Sequence, residues 1–164
     1  MKTKIGDYFK IPLEDGRFGI GCVLARTPPA FYIGALKDVF SKVEDFDCKS
    51  LKNPKSFAIL GSFFDSKIKN GDWQILGNYR FPLNGFPKPY IKIKRGDDYV
   101  IETLLGRDYV RDATPEDILY YENPSNKSPM ILQNALNALH GLKEWNPKYK
   151  KVSEEFVRKQ ADLQ

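Results

Sequence analysis

Over roughly the first two-thirds of the chain, apolar and polar residues alternate with a period of two, the signature of half-buried strands. Phe9, Ile11 and Leu13 share one face of a predicted first strand, with Lys10 and Pro12 on the other. Glu14-Asp15-Gly16-Arg17 reads as a hairpin turn, its Asp-Gly pair suited to the positive φ that such connections require. The return strand aligns Phe18, Ile20, Cys22 and Leu24, and leaves Gly19 and Gly21 opposite, where missing side chains permit bending or close approach of another layer. Pro28-Pro29 breaks the pattern before a third strand, Ala30 to Ala35. Residues 36–50 fit either a helix, from the spacing of Leu36, Val39, Phe40 and Val43, or an irregular edge. Ser56 to Phe64 is apolar on both faces, which predicts a central strand. Asn70-Gly71-Asp72 turns into Trp73 to Asn78, and a Pro/Gly-rich bend follows from Phe81 to Pro89. A second hairpin joins Tyr90 to Lys94, with Ile91 and Ile93 inward and Lys92 and Lys94 outward, to Tyr99 to Leu104 through Arg95-Gly96-Asp97-Asp98.

The last third changes period. Thr114-Pro115 and Ser128-Pro129 each place a capping hydroxyl before a proline at the first helical position, where its missing N–H costs nothing. Leu132, Ala135, Leu136 and Leu139 form an apolar stripe on the second helix, with Gln133, Asn137 and His140 on the opposite side and Gly141 as its stop. Asn146-Pro147 predicts a final helix with Tyr149, Val152 and Phe156 inward and Lys150/Glu154, Lys151/Glu155 and Glu154/Arg158 as i,i+4 pairs. The expected fold is therefore α+β: a strongly bent antiparallel β-sheet or partly open barrel with two or three C-terminal helices. No repeat or linker interrupts the chain, so residues 1–164 are expected to form a single domain, with 158–164 a frayed tail.

Composition narrows the classes of function. No apolar run approaches the ~20 residues of a membrane span, and no apolar stretch follows the basic start, so a cytoplasmic location is expected. Charge is uneven: residues 51–95 carry nine Lys/Arg against Asp65 and Asp72, a local +7, whereas the whole chain carries +5. Such a segment is either a field that steers an anionic partner or a solvated basic face. The lysines are dispersed, without an Arg-rich run or a recognition helix, which weighs against nucleic acid. Two cysteines and one histidine leave little for metal or acid–base chemistry. Cys22 falls in a core row and His140 on a polar helix face, so they form no nucleophile–base pair. Phe18-Gly19-Ile20-Gly21 lies inside a strand and lacks the helix N-terminus that a phosphate cradle needs. The carboxylates of Glu44-Asp45-Asp47 and Asp97-Asp98 sit in or near turns. No catalytic residue, cofactor or metal is expected.

Two segments carry a resemblance. Gly6 to Leu24 (GDYFKIPLEDGRFGIGCVL) resembles the opening hairpin of the immunity protein 26 family, and Trp73-Gln74-Ile75-Leu76-Gly77-Asn78 resembles that family's tryptophan strand ending in Gly-Asn or Gly-His. Order and spacing extend the likeness over about residues 5–145. The resemblance implies a bacterial cytoplasmic immunity protein that neutralises a cognate polymorphic toxin by protein–protein binding, without catalytic residues. Phe9, Pro12, Gly16, Phe18, Gly21, Trp73, Gly77 and Asn78 are assigned mainly to the scaffold. Cys22 stands where relatives often carry another residue, in keeping with a packing role. The expected partner-binding residues are Lys67, Lys69, Asn78, Tyr79, Arg80, Lys92 and Lys94. The alternative is a nucleic-acid-binding β-barrel that uses the basic 51–95 region with Tyr79, Phe81, Phe86 or Tyr90 as stacking platforms.

Overall fold

The computed structural model describes residues 2–163. Five strands, β1 (Asp7–Pro12), β2 (Phe18–Thr27), β3 (Ala30–Phe40), β4 (Phe57–Phe63) and β5 (Ile75–Asn78), form an antiparallel sheet in the order β4-β3-β2-β1-β5. Three more, β6 (Tyr90–Arg95), β7 (Asp98–Thr103) and β8 (Tyr109–Asp112), form a second antiparallel sheet. Helices α1 (Ser66–Lys69), α2 (Pro115–Tyr120), α3 (Pro129–Leu139) and α4 (Glu154–Asp162) complete the α+β architecture. Among the described residues no helix is long and apolar enough to cross a membrane.

The period-two reading of the large sheet holds. Its alternation feeds two apolar layers, one on each face. Phe9, Ile11, Val23, Ile33, Ile59 and Phe63 pack beneath α3. Phe18, Ile20, Cys22, Leu24, Tyr32, Leu36 and Leu60 pack on the reverse face beneath Leu51, Phe86 and Val157. Gly19 and Gly21 lie on the α3 side: a side chain at Gly19 would overlap Leu136, and one at Gly21 would overlap the Phe9 ring. Register shifts occur between Tyr8 and Phe9, Gly19 and Gly21, Val23 and Ala25, and Ala35 and Leu36, and such bulges bend strands. Bending stops short of closure: the strands divide into two sheets, and no barrel forms.

Several expectations are corrected. Residues 36–50, which fit either a helix or an irregular edge, begin as strand: β3 runs to Phe40, and two short 3-10 turns follow at Val43–Asp45 and Cys48–Lys52. The helical spacing of Leu36, Val39 and Phe40 coincides with the bulge at Ala35/Leu36, which shifts the strand's alternation. β4 is an edge strand instead of a central one. It is apolar on both faces because both are covered, and bridges from Ile59 to Ser153 and from Phe63 to Lys127 cap its outer side. The expected last helix is two pieces, a 3-10 turn at Pro147–Val152 and α4, separated by Ser153, whose side chain accepts from Phe156 N–H. That break leaves Glu154/Arg158 as the one ion pair of the three anticipated. Of the tail 158–164, residues 158–162 belong to α4, with Val157 and Gln160 buried, and Gln164 lies outside the described residues.

The polar side of α3 also differs from expectation. Asn137 is 2% exposed; its Oδ1 accepts the Glu14 backbone N–H (2.9 Å) and its Nδ2 donates to the Gln133 carbonyl (3.0 Å). Gln133 donates to the Pro12 carbonyl (2.9 Å) and accepts from Trp73 Nε1 (3.2 Å). His140 Nε2 donates to the Lys37 carbonyl (2.9 Å). These side chains bind α3 to the first hairpin, Trp73 and β3.

Candidate partner-binding surface

Cys22 and Glu102 are the buried groups closest to chemistry. The Cys22 thiol is 0% exposed, and burial, with a contribution from Asp7, pushes its pKa up to about 12. A thiol held protonated at neutral pH is a poor nucleophile. It lies in the apolar layer opposite α3, while His140 donates to the Lys37 carbonyl at the end of β3. Glu102 is a buried carboxylate held by Arg95 (2.6 Å) and Arg107 (3.2 Å). Burial pushes its pKa up, and the two guanidinium hydrogen bonds more than offset that, leaving it below the usual range. Among the described residues no group of three His, Cys, Asp or Glu side chains is placed to hold a metal ion.

The seven anticipated binding residues fall in three places. Lys67 and Lys69 are on α1, where Lys67 pairs with Asp72 (3.2 Å) and Lys69 with Asp65 (3.5 Å). Lys92 and Lys94 are on β6; Lys92 is half-buried and donates to the Ile118 carbonyl, while Lys94 is exposed. Asn78, Tyr79 and Arg80 lie together at the end of β5. Asn78 Nδ2 donates to the Ile5 carbonyl and to Asp7 Oδ1, each at 2.9 Å. The Tyr79 ring is half-buried beside Phe81 (5.7 Å between centroids), and its N–H donates to the Gly6 carbonyl (2.9 Å). Arg80 is exposed. The rings considered as stacking platforms belong mainly to the core: Phe86 is buried and Phe81 stacks on it (5.8 Å).

Around that end of β5, Lys4, Ile5, Asp7, Arg26, Asn78 and Arg80 line an open cleft of about 510 Å³. The sequence reading overlooks Lys4 and Arg26, because both lie far along the chain from the basic 51–95 segment. Sheet pairing unites them: Gly6 N–H donates to the Val23 carbonyl (2.8 Å), and β5 pairs with β1 through Asp7 and Asn78. At the other end of β5, the rings of Phe9 and Trp73 stack at 5.3 Å and nearly parallel in the α3-side core.

The sequence model of the immunity protein 26 family matches residues 4–100. The chain belongs to the immunity protein 26 family. The matched segment is shorter than the resemblance over 5–145: it contains the five-stranded sheet, β6 and the first residues of β7, and leaves α2, α3 and α4 beyond it. Both segments that carry the resemblance, the opening hairpin and the tryptophan strand, fall within it, and they are adjacent in the fold because β5 pairs with β1. No curated protein and no solved structure matches the chain.

Proposed function

We propose that this chain is a non-enzymatic bacterial immunity protein, acting in the cytoplasm as a single domain, that neutralises a cognate polymorphic toxin by direct binding. The observation that carries the reading is membership of the immunity protein 26 family over residues 4–100. A toxin inhibitor needs a stable scaffold and one complementary surface. A standard interface takes roughly 800 Å² per partner, a small share of this molecule's 8810 Å². In this reading Lys67, Lys69, Arg80, Lys92 and Lys94 contribute to a positive field that speeds toxin capture, with Asn78 and Tyr79 at the contact edge. The buried Cys22 and the arginine-bound Glu102 support the scaffold.

The test is co-expression with the toxin encoded in the neighbouring reading frame. Cells carrying both are expected to grow, and the two proteins to co-purify; toxicity undiminished by this protein would overturn the reading.

A further inference from the structure

The chain has seven arginines. Five of them, Arg17, Arg95, Arg107, Arg111 and Arg158, pair with carboxylates. Arg26 and Arg80 have no ion-pair partner among the described residues, and both line the cleft at the end of β5, together with Lys4. The one carboxylate in that cleft, Asp7, is already engaged: Oδ2 accepts the Lys4 backbone N–H (2.8 Å) and Oδ1 accepts Asn78 Nδ2 (2.9 Å). Three cations thus face a single carboxylate whose two oxygens each have a local donor.

The two guanidiniums are also supported before any partner arrives. The stem of Arg80 crosses Gly6 so closely that an added Cβ there would lie 2.7 Å from Arg80 Cγ. Gly6 itself has φ +91°, a conformation that side chains disfavour, so the position supplies both the turn and the room for that stem. Arg26 lies over the Phe31 ring, 5.8 Å from its centroid. Supported cations lose less freedom on binding, and the planar guanidinium fork matches a carboxylate with two parallel hydrogen bonds.

We propose that this cleft is the docking point for a carboxylate-rich segment of the partner toxin, with Arg26 and Arg80 as its anchors and Lys4 adding charge. The assignment rests on the immunity reading for the nature of the partner. A protein carboxylate fits the cleft better than a nucleic-acid strand, because none of the residues lining it offers an aromatic face for a base.

Two labelled probes, a hexaglutamate peptide and a single-stranded oligonucleotide of equal charge, are followed by fluorescence anisotropy at low and moderate salt. The R26E/R80E variant is compared with K148E/K150E, which reverses the same amount of charge at exposed lysines elsewhere. The expected result is hexaglutamate binding that weakens about tenfold or more in R26E/R80E but only slightly in K148E/K150E, at unchanged unfolding midpoint. R26Q/R80Q, which removes charge without reversing it, should show an intermediate loss. Absence of peptide binding, equal loss in both charge-reversed variants, or tighter binding of the oligonucleotide through the same two arginines would overturn the proposal. The toxin arm separates the two readings. Full protection by R26E/R80E with an unchanged association rate defeats the cleft alone, whereas failure of the wild type to protect defeats the immunity reading.

Discussion

Gly21 leaves no room for a methyl group, because the Phe9 ring that a side chain would meet is stacked against Trp73 and cannot turn away. Gly21→Ala is therefore expected to destabilise the fold by about 1–3 kcal/mol, the usual cost of overpacking, measured as a lower urea midpoint at unchanged slope. Asp117 is a second residue with a definite signature. Its carboxylate is bound by Arg111 and closes a capping box with Thr114, and those contacts, Arg111 first, hold its pKa down at about 2 against an ordinary 3.8. A depressed carboxyl stabilises the fold fully above the unfolded value and loses that contribution as pH falls through the folded one. The stability gap between wild type and Asp117→Asn should be constant above about pH 5 and shrink between about pH 4 and 2. A gap unchanged across that range would contradict the assignment. At this scale the sequence was informative wherever strand alternation decided the matter, as for Gly19, Gly21 and Cys22. It was silent on Asn137, since helical spacing separates polar from apolar positions but cannot show that a polar side chain meets the Glu14 backbone of a distant hairpin.

Between elements, α3 is attached by polar contacts as well as by its apolar stripe. Leu132 and Leu136 are buried, but Leu139, the last residue of that stripe, is 47% exposed. Replacing Asn137 with Ala removes the acceptor for Glu14 N–H and leaves a part-buried donor unmatched, which should cost about 1–3 kcal/mol. Amide exchange in α3 and at the 14–17 turn should accelerate together; acceleration confined to α3 would show that the contact does not couple them. The elements most legible in the sequence were those defined by local chemistry: the two hairpins with Gly16 and Gly96 at positive φ, and the helices begun by Thr114-Pro115 and Ser128-Pro129. The less legible ones depend on contacts between distant segments. β4 could be apolar on both faces and still lie at an edge, because Ser153 and Lys127 bridge its outer side. Division of the strands into two sheets, and the break at Ser153, likewise follow from how layers meet.

For the molecule as a whole, charge along the chain and charge in space differ. The basic 51–95 segment spreads over α1, the end of β5 and β6, and Lys67, Lys69, Lys92 and Arg95 are held by internal partners. The cleft draws its cations from Lys4, Arg26 and Arg80, the two arginines having no ion-pair partner among the described residues, and only the pairing of β1 with β2 and β5 brings the three near one another. Net charge in a sequence window could flag Arg80, but not its companions. Family membership was visible because the two segments that carry it are strongly patterned hydrophobic strands, and the structure places them side by side.

The central claim is that this protein inhibits by occupying its partner and not by altering it. The most direct measurement is a titration of purified toxin, at a concentration well above the dissociation constant, with increasing amounts of this protein while residual toxin activity is read. The account predicts a linear fall that reaches zero at a fixed whole-number ratio, with intact toxin recovered after the complex is denatured. Complete loss of toxin activity at a small fraction of equivalence, or recovery of covalently changed toxin, would contradict it.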